Sequence, residues 1–298
     1  MHLDGLVALA GLVVGFVVGL TGMGGGALMT PVLVLLFNVK PLAAVPSDLV
    51  AAVIMKPIGG TVHMRRGTVN LELVKWLCVG SVPSAFAGVL LLDALGNGET
   101  LQHRIKVVLG VALLVAATAM VAKAVIQRHR PPGVAGGVRD LTIHKVPTLL
   151  IGATGGFVVG ITSVGSGSLM MVLLLWLYPR LTASQLVGTD LVQAVPLVGS
   201  AALGHLLFGD FELGLTTSLL IGSVPGVYLG ARASAKAPDV IIRPVLVSVL
   251  SLSALKLLDV SNGWLGAALV LALTTTTAIW VRAWKARAAH EEAPVLSV

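Results

Sequence analysis

One stretch decides the fold, and it occurs twice: GFVVGLTGMGGGALMTPVL at residues 15–33 and GFVVGITSVGSGSLMMVLL at residues 156–174. Eleven of the nineteen aligned positions are identical, and the copies start 141 residues apart. The likeness continues at an offset of 142 residues. It pairs Ser47-Asp48-Leu49 with Thr189-Asp190-Leu191, His63 with His205, Gly67 with Gly209, and Gly80-Ser81-Val82-Pro83 with Gly222-Ser223-Val224-Pro225. The chain is therefore an internal duplication.

The composition places this duplicated chain in a membrane. Of its 298 residues, 56% are hydrophobic and 11% are charged, and the mean hydropathy is +0.97. A soluble domain carries about 25% charged residues. The sequence thus predicts an all-α, polytopic integral membrane protein in contact with lipid. A repeated apolar chain is typical of transporters, whose substrate site commonly lies between the two repeats near the middle of the bilayer.

Proline, glycine and charged residues divide the chain into eleven apolar segments. The predicted segments are 3–21, 26–37, 41–64, 71–92, 101–127, 146–162, 167–177, 182–207, 213–233, 240–258 and 263–284. We interpret them as four regions: a first transmembrane repeat at 1–127, a cytoplasmic linker at 128–145, a second repeat at 146–258, and an additional helix with a cytoplasmic tail at 259–298.

The second segment of each repeat is too short to cross a bilayer, which takes about 20 residues. The first two segments of each repeat are therefore predicted to form a broken, re-entrant hairpin that returns to the side from which it entered. Three crossings remain in each repeat. Because three is odd, the two copies are expected to have opposite orientations in the membrane, as inverted-topology repeats.

The loop charges indicate the same inversion. Arg65-Arg66 follows the third segment, whereas the aligned turn in the second repeat is Asp210-Phe211-Glu212. Basic loops lie on the cytoplasmic side of a membrane. We therefore expect a multi-pass protein with Arg65-Arg66, the linker and the carboxyl terminus in the cytoplasm and the amino terminus outside. The basic residues are spread over such flanking loops, so nucleic acid is not an expected partner, whereas membrane lipid is.

The glycine elements of both repeats break a helix within the membrane. Such breaks line a wet cavity or are buried in protein, and a helix that starts with glycine offers backbone N–H groups to an anion. Two inverted copies would direct both helix starts at one point. The alternative is that the glycines only permit close helix packing. The candidate binding residues from these elements are Thr21, Gly24, Gly25, Gly26, Thr162, Gly165, Ser166, Gly167 and Ser168.

Ionisable residues within membrane spans are costly and commonly functional, and five of those in the apolar segments are candidate functional residues. Asp48 and Asp190 are aligned; they would either take part in ion coupling or fix the ends of the broken helices. Lys56 aligns with Val198 and therefore adds one positive charge without a counterpart to the candidate anion site. His63 and His205 are candidate gate residues, although histidines near helix ends more commonly serve as interfacial side chains.

No catalytic, metal-binding or nucleotide-binding motif is present, so an enzyme, a cofactor and a metal site are not expected. The two aspartates leave open a cation transporter or channel that would use both carboxylates as ligands. A cation transporter or channel would not need the helix N-termini for binding its substrate.

The glycine stretch, its second copy, the Ser-Asp-Leu element and the repeated Gly-Ser-Val-Pro together resemble the TauE/SafE sulfite exporter family, over residues 5–285. The resemblance implies a protein of the bacterial inner membrane that exports a small sulfur-containing anion, such as sulfite or an organosulfonate, without a cofactor. The replacement of Gly25 by Ser166 in the second copy would make the anion site asymmetric.

Overall fold

The computed structural model describes residues 4–21, 25–96, 98–128, 141–209, 211–233 and 239–261, together with positions 274, 277, 278 and 281. In this part of the chain all regular structure is helical. The helices are α1 (Gly5–Thr21), α2 (Gly26–Leu36), α3 (Pro41–Arg65), α4 (Leu71–Leu95), α5 (Glu99–Arg128), α6 (Lys145–Thr162), α7 (Leu169–Leu177), α8 (Ala183–Phe208), α9 (Leu213–Ala233) and α10 (Asp239–Leu257).

These bounds follow the predicted segments closely: the segment predicted at 41–64 is α3, and that predicted at 213–233 is α9. Local sequence accounts for several helix starts. The Asn70 side chain accepts a hydrogen bond from Leu73 N at 2.9 Å and so begins α4. Thr182 and Gln185 form a reciprocal capping box before α8. Most of the predicted linker and tail lies outside the described residues, as do Asp210 and all but four positions of the segment at 263–284.

Six of the described helices are long and apolar enough to cross a membrane: α3, α4, α5, α6, α8 and α9. Large apolar side chains cover the outer surface, and Trp176 is 80% exposed. An apolar exterior over such helices is the arrangement of a multi-pass membrane protein. The set differs from the expected crossings, because α6 qualifies although it was placed in a hairpin. In α10, by contrast, the apolar part from Pro244 to Leu257 is short.

The helices pair across the two sequence repeats. α1 packs against α9, α4 against α6, α3 against α8, and α5 against α10. Each repeat contributes five described helices. In both directions the first helix of one repeat packs against the fourth helix of the other, while the third helices pack against each other and so do the fifth helices. Exchanging the two repeats leaves this set of pairs unchanged. Neither repeat therefore forms a separate core, and the space between them lies along α3 and α8.

Glycines allow two of these pairs to pack backbone to backbone. A Cβ atom on Gly11 in α1 would lie 2.7 Å from the carbonyl oxygen of Leu219 in α9. Gly222 and Gly226 of α9 similarly face the backbone of α1, and Gly152 and Gly156 of α6 face that of α4. Small residues permit such contacts between membrane helices. For these glycines, close packing is a sufficient explanation.

Candidate functional site

The two helix breaks meet each other. Gly26 is the first residue of α2, and Ser163 is the first residue after α6. A Cβ atom on Gly26 would overlap the carbonyl oxygen of Ser163 and come within 2.8 Å of its hydroxyl oxygen. The glycine elements of the two repeats are therefore in backbone contact, at a position where only glycine fits. Gly24 lies outside the described residues.

The second break has the backbone conformation that its glycines permit. Gly165 and Gly167 have φ angles of 121° and 108°, and Ser163 is left-handed with φ 59°. Thr162 stabilises the break, because its hydroxyl oxygen accepts a hydrogen bond from Val164 N at 3.1 Å. L-residues with side chains rarely adopt φ angles such as those of Gly165 and Gly167. The break is thus fixed by local sequence.

Several hydroxyl groups that were predicted to donate hydrogen bonds to an anion are already hydrogen-bonded or are buried. The hydroxyls of Thr21 and Thr162 donate to carbonyl oxygens of their own helices, at 2.9 Å to Val17 O and 2.7 Å to Val158 O. Ser166 and Ser168 are both buried, and Ser168 immediately precedes α7 without capping that helix through its side chain. The two threonine hydroxyls are therefore already used within their own helices.

Lys56 carries the positive charge at this junction. It lies in α3, is 5% exposed, and its Nζ donates a hydrogen bond to the hydroxyl oxygen of Ser166 in the opposite repeat. Its charge also interacts with the carboxylates of Asp190 and Asp48. A buried ammonium group therefore lies beside the second helix break, within the electrostatic reach of both aspartates.

Asp48 ties α3 to the start of α2. Its side chain is fully buried, and its Oδ2 accepts a hydrogen bond from Thr30 at 2.8 Å. Ser163 interacts with the same carboxylate, while Oδ1 has no partner of hydrogen-bond geometry among the described residues. This geometry agrees with a helix-fixing role. Asp190 is also buried, in α8.

Both Ser47 and Thr189, which precede the two aspartates, are held by the opposite repeat. Thr216 at the start of α9 donates to the Ser47 hydroxyl oxygen at 3.0 Å, and Asn70 N donates to the Thr189 hydroxyl oxygen at 3.2 Å. Equivalent positions of the two copies thus hold α3 and α8 against the fourth helix of the other repeat.

A cavity of about 270 Å³ leads to this junction from the end of α3. It is lined by residues of α1, α3, α8 and α9, among them Thr21, Lys56 and His63, together with Gly25 before α2 and Arg66 after α3. None of its described lining residues is acidic. The lining therefore carries an ammonium and a guanidinium group, while the buried carboxylates of Asp48 and Asp190 lie within electrostatic reach of Lys56.

The two histidines have different surroundings. His63 lines the cavity, and its Nδ1 is 2.9 Å from the hydroxyl oxygen of Thr68. His205 is 2% exposed, and its Nε2 donates to the carbonyl oxygen of Gly160 in α6 at 2.9 Å.

Sequence reasoning missed three residues that belong to this region: Thr30, Ser163 and Arg66. Ser163 lies inside the duplicated stretch, so its position in the break was a usable signal. Arg66 was used only to assign the side of the membrane, although it also lines the cavity. Thr30 has no polar counterpart in the second copy, where Met171 is aligned, and no sequence signal connects it to Asp48.

The family model for "Sulfite exporter TauE/SafE" matches residues 7–257, which contain every described helix except the first two residues of α1. The chain belongs to this family. The resemblance seen in the glycine elements is thereby confirmed, and this TauE/SafE protein is a multi-pass membrane transporter.

Curated relatives agree with this assignment. The chain is 38% identical over 253 residues to the probable membrane transporter protein YjnA of Bacillus subtilis strain 168, covering 85% of this chain and 98% of the relative. The probable membrane transporter protein YdhB of the same organism is 22% identical over 256 residues, with 85% and 99% covered. No solved structure matches the chain significantly.

Proposed function

We propose that this TauE/SafE protein is a secondary transporter that exports a small sulfur-containing anion, such as sulfite or an organosulfonate, across the bacterial inner membrane. The anion binds between the repeats, where Gly25 and Gly26 meet residues 163–168. The observation that carries the proposal is Lys56, a buried cation hydrogen-bonded to Ser166 at the contact between the two helix breaks.

The groups at this junction supply what a dehydrated anion needs. Lys56 compensates the charge, and the N–H groups at the starts of α2 and α7 donate hydrogen bonds without adding a full charge. The hydroxyls of Ser166 and Ser168 add neutral donors. Arg66 attracts the anion into the cavity from the cytoplasm. Asp48 and Asp190 fix the broken helices and take up the coupling proton.

Transport of sulfite by the purified protein in proteoliposomes tests the function. We expect labelled sulfite or a short alkyl sulfonate to cross, and labelled divalent cations not to cross, because the described cavity lining is basic. The matched control is liposomes with the Lys56→Met variant. Cation flux without anion flux would instead establish the alternative in which the aspartates bind a cation.

We also propose that the repeats are inverted, with re-entrant hairpins at α1–α2 and α6–α7, the amino terminus outside and the carboxyl terminus in the cytoplasm. The cross-repeat helix pairs support a two-fold relation between the copies, because the pairs are unchanged when the copies are exchanged. The loop charges support the orientation. The regions 1–127 and 146–258 are then the two repeats, joined by the linker at 128–145.

Cysteine labelling tests the orientation. In a Cys78→Ala background, Arg66→Cys is expected to react with an impermeant thiol reagent only in inside-out vesicles, because Arg65-Arg66 is cytoplasmic in this topology. Glu212→Cys, which is exposed before α9, is expected to react only in intact cells. Reaction of both from the same side would rule out inverted repeats.

A further inference from the structure

The cavity is formed by one of two equivalent sets of residues. Met55, Gly59 and Val62 line it from α3, and Val62 is 42% exposed. The aligned residues of α8 are Leu197, Ala201 and Gly204, and all three are buried. On the partner helices the difference is smaller. Three lining residues, Val18, Leu191 and Val227, are 7%, 6% and 5% exposed, and Ala231 is exposed, whereas the aligned Val159, Leu49, Ala85 and Val89 are at most 1% exposed.

The buried residues of α8 and α6 include a hydrogen bond that the aligned, cavity-lining residues of α3 and α1 do not form. His205 Nε2 donates to Gly160 O and holds α8 against α6. Gly160 aligns with Gly19, and His205 aligns with His63. Both Gly19 and His63 line the cavity, and His63 bonds to Thr68 in its own repeat rather than to Gly19. The aligned histidine and glycine are thus hydrogen-bonded to each other as His205 and Gly160, but not as His63 and Gly19.

We propose that His205 and His63 are alternating latches that close the outer and inner access routes in turn. In the conformation described, the bond from His205 to Gly160 closes the outer route while the inner cavity is open. In the opposite conformation His63 donates to Gly19 O and closes the inner cavity, and His205 releases Gly160. The proposal rests on the inverted-repeat transporter proposed above.

The physical reason is that duplicated sequences have the same two packings available. A transporter that opens to one side at a time must keep its copies in different packings, and exchanging them converts one state into the other. A buried carbonyl oxygen that loses its donor is destabilised, so each latch favours its own closed route. Removing one latch therefore shifts the population towards the other state.

Accessibility of single cysteines tests the exchange without any substrate. In a Cys78→Ala background, in which the only cysteine of the sequence is removed, Val62→Cys reports the inner cavity. Ala201→Cys reports a buried position of α8, the one that aligns with the lining residue Gly59. His205→Ala is expected to raise the labelling rate of Ala201→Cys by about ten-fold and to lower that of Val62→Cys, since the lost bond and the unpaired carbonyl favour the opposite state. His63→Ala is the matched control and is expected not to produce this exchange.

His205→Gln is a second variant, and it retains an N–H donor. In this variant the labelling rates of Ala201→Cys and Val62→Cys are expected to lie nearer to those with His205 than the rates in His205→Ala do. Unchanged labelling in His205→Ala would overturn the latch. So would a rise at Ala201→Cys without a fall at Val62→Cys, which indicates local loosening instead of exchange. If labelling exchanges but sulfite is not transported, the latch stands and the proposed substrate fails. If sulfite is transported but labelling does not exchange, the substrate stands and the latch fails.

Discussion

Lys56→Met is expected to weaken sulfite binding about 30-fold, because truncating a buried charged partner costs roughly 2 kcal/mol or more. The side chain is 5% exposed and lies beside the second helix break, so its charge is weakly screened by solvent. Methionine has a similar length and keeps the apolar contacts. Loss of the ammonium group also leaves the buried carboxylates of Asp48 and Asp190 without this compensating charge, so the folded yield of the variant is expected to fall as well.

Binding can be measured by calorimetry or by thermal stabilisation in detergent, with folded yield measured by size exclusion. Lys106→Met is the matched control. Lys106 forms an ion pair with Asp259 at 2.8 Å on the exposed side of α5, away from the cavity, and its loss should leave sulfite affinity unchanged. Wild-type affinity in Lys56→Met would place the anion site elsewhere.

Gly26→Ala is expected to lower the free energy of unfolding by about 3 kcal/mol, at the upper end for overpacking a core position. The added methyl group would overlap the carbonyl oxygen of Ser163, which is backbone and cannot rotate away. The two helix breaks would have to separate. Transport should be lost together with stability, because Gly26 would no longer lie against Ser163 at the proposed anion site.

Gly25→Ala is the control one residue away. Gly25 has φ −56°, which any residue adopts, and a Cβ atom there would lie 3.0 Å from the flexible Cε of Met55. We expect this variant to fold, with a smaller loss of stability than Gly26→Ala. The larger Gly25→Val should reduce anion binding by filling the cavity, rather than by changing the local backbone conformation. Equal thermal midpoints for Gly26→Ala and Gly25→Ala would show that the breaks do not meet as described.

The membrane class, the duplication and most helix bounds of the described residues follow from the sequence alone. Lipid requires each backbone polar group to be satisfied within its own helix, so the length of each apolar run largely fixes the element. The helix breaks were visible for the same reason, because glycine and serine interrupt those runs in both copies. Asp48, Lys56 and Asp190 were recognisable as charges in apolar surroundings.

The contacts of the helix breaks and of the buried charged residues depend on the tertiary structure. Gly26 meets Ser163 and Lys56 meets Ser166 across more than 100 residues of chain, and such contacts depend on how whole helices pack. Thr30 bonds to Asp48 without any local pattern that pairs them. The cavity and the bond from His205 to Gly160 could not be predicted from the sequence for a further reason. The two copies have similar sequences, and the packing of the whole molecule determines which copy lines the cavity.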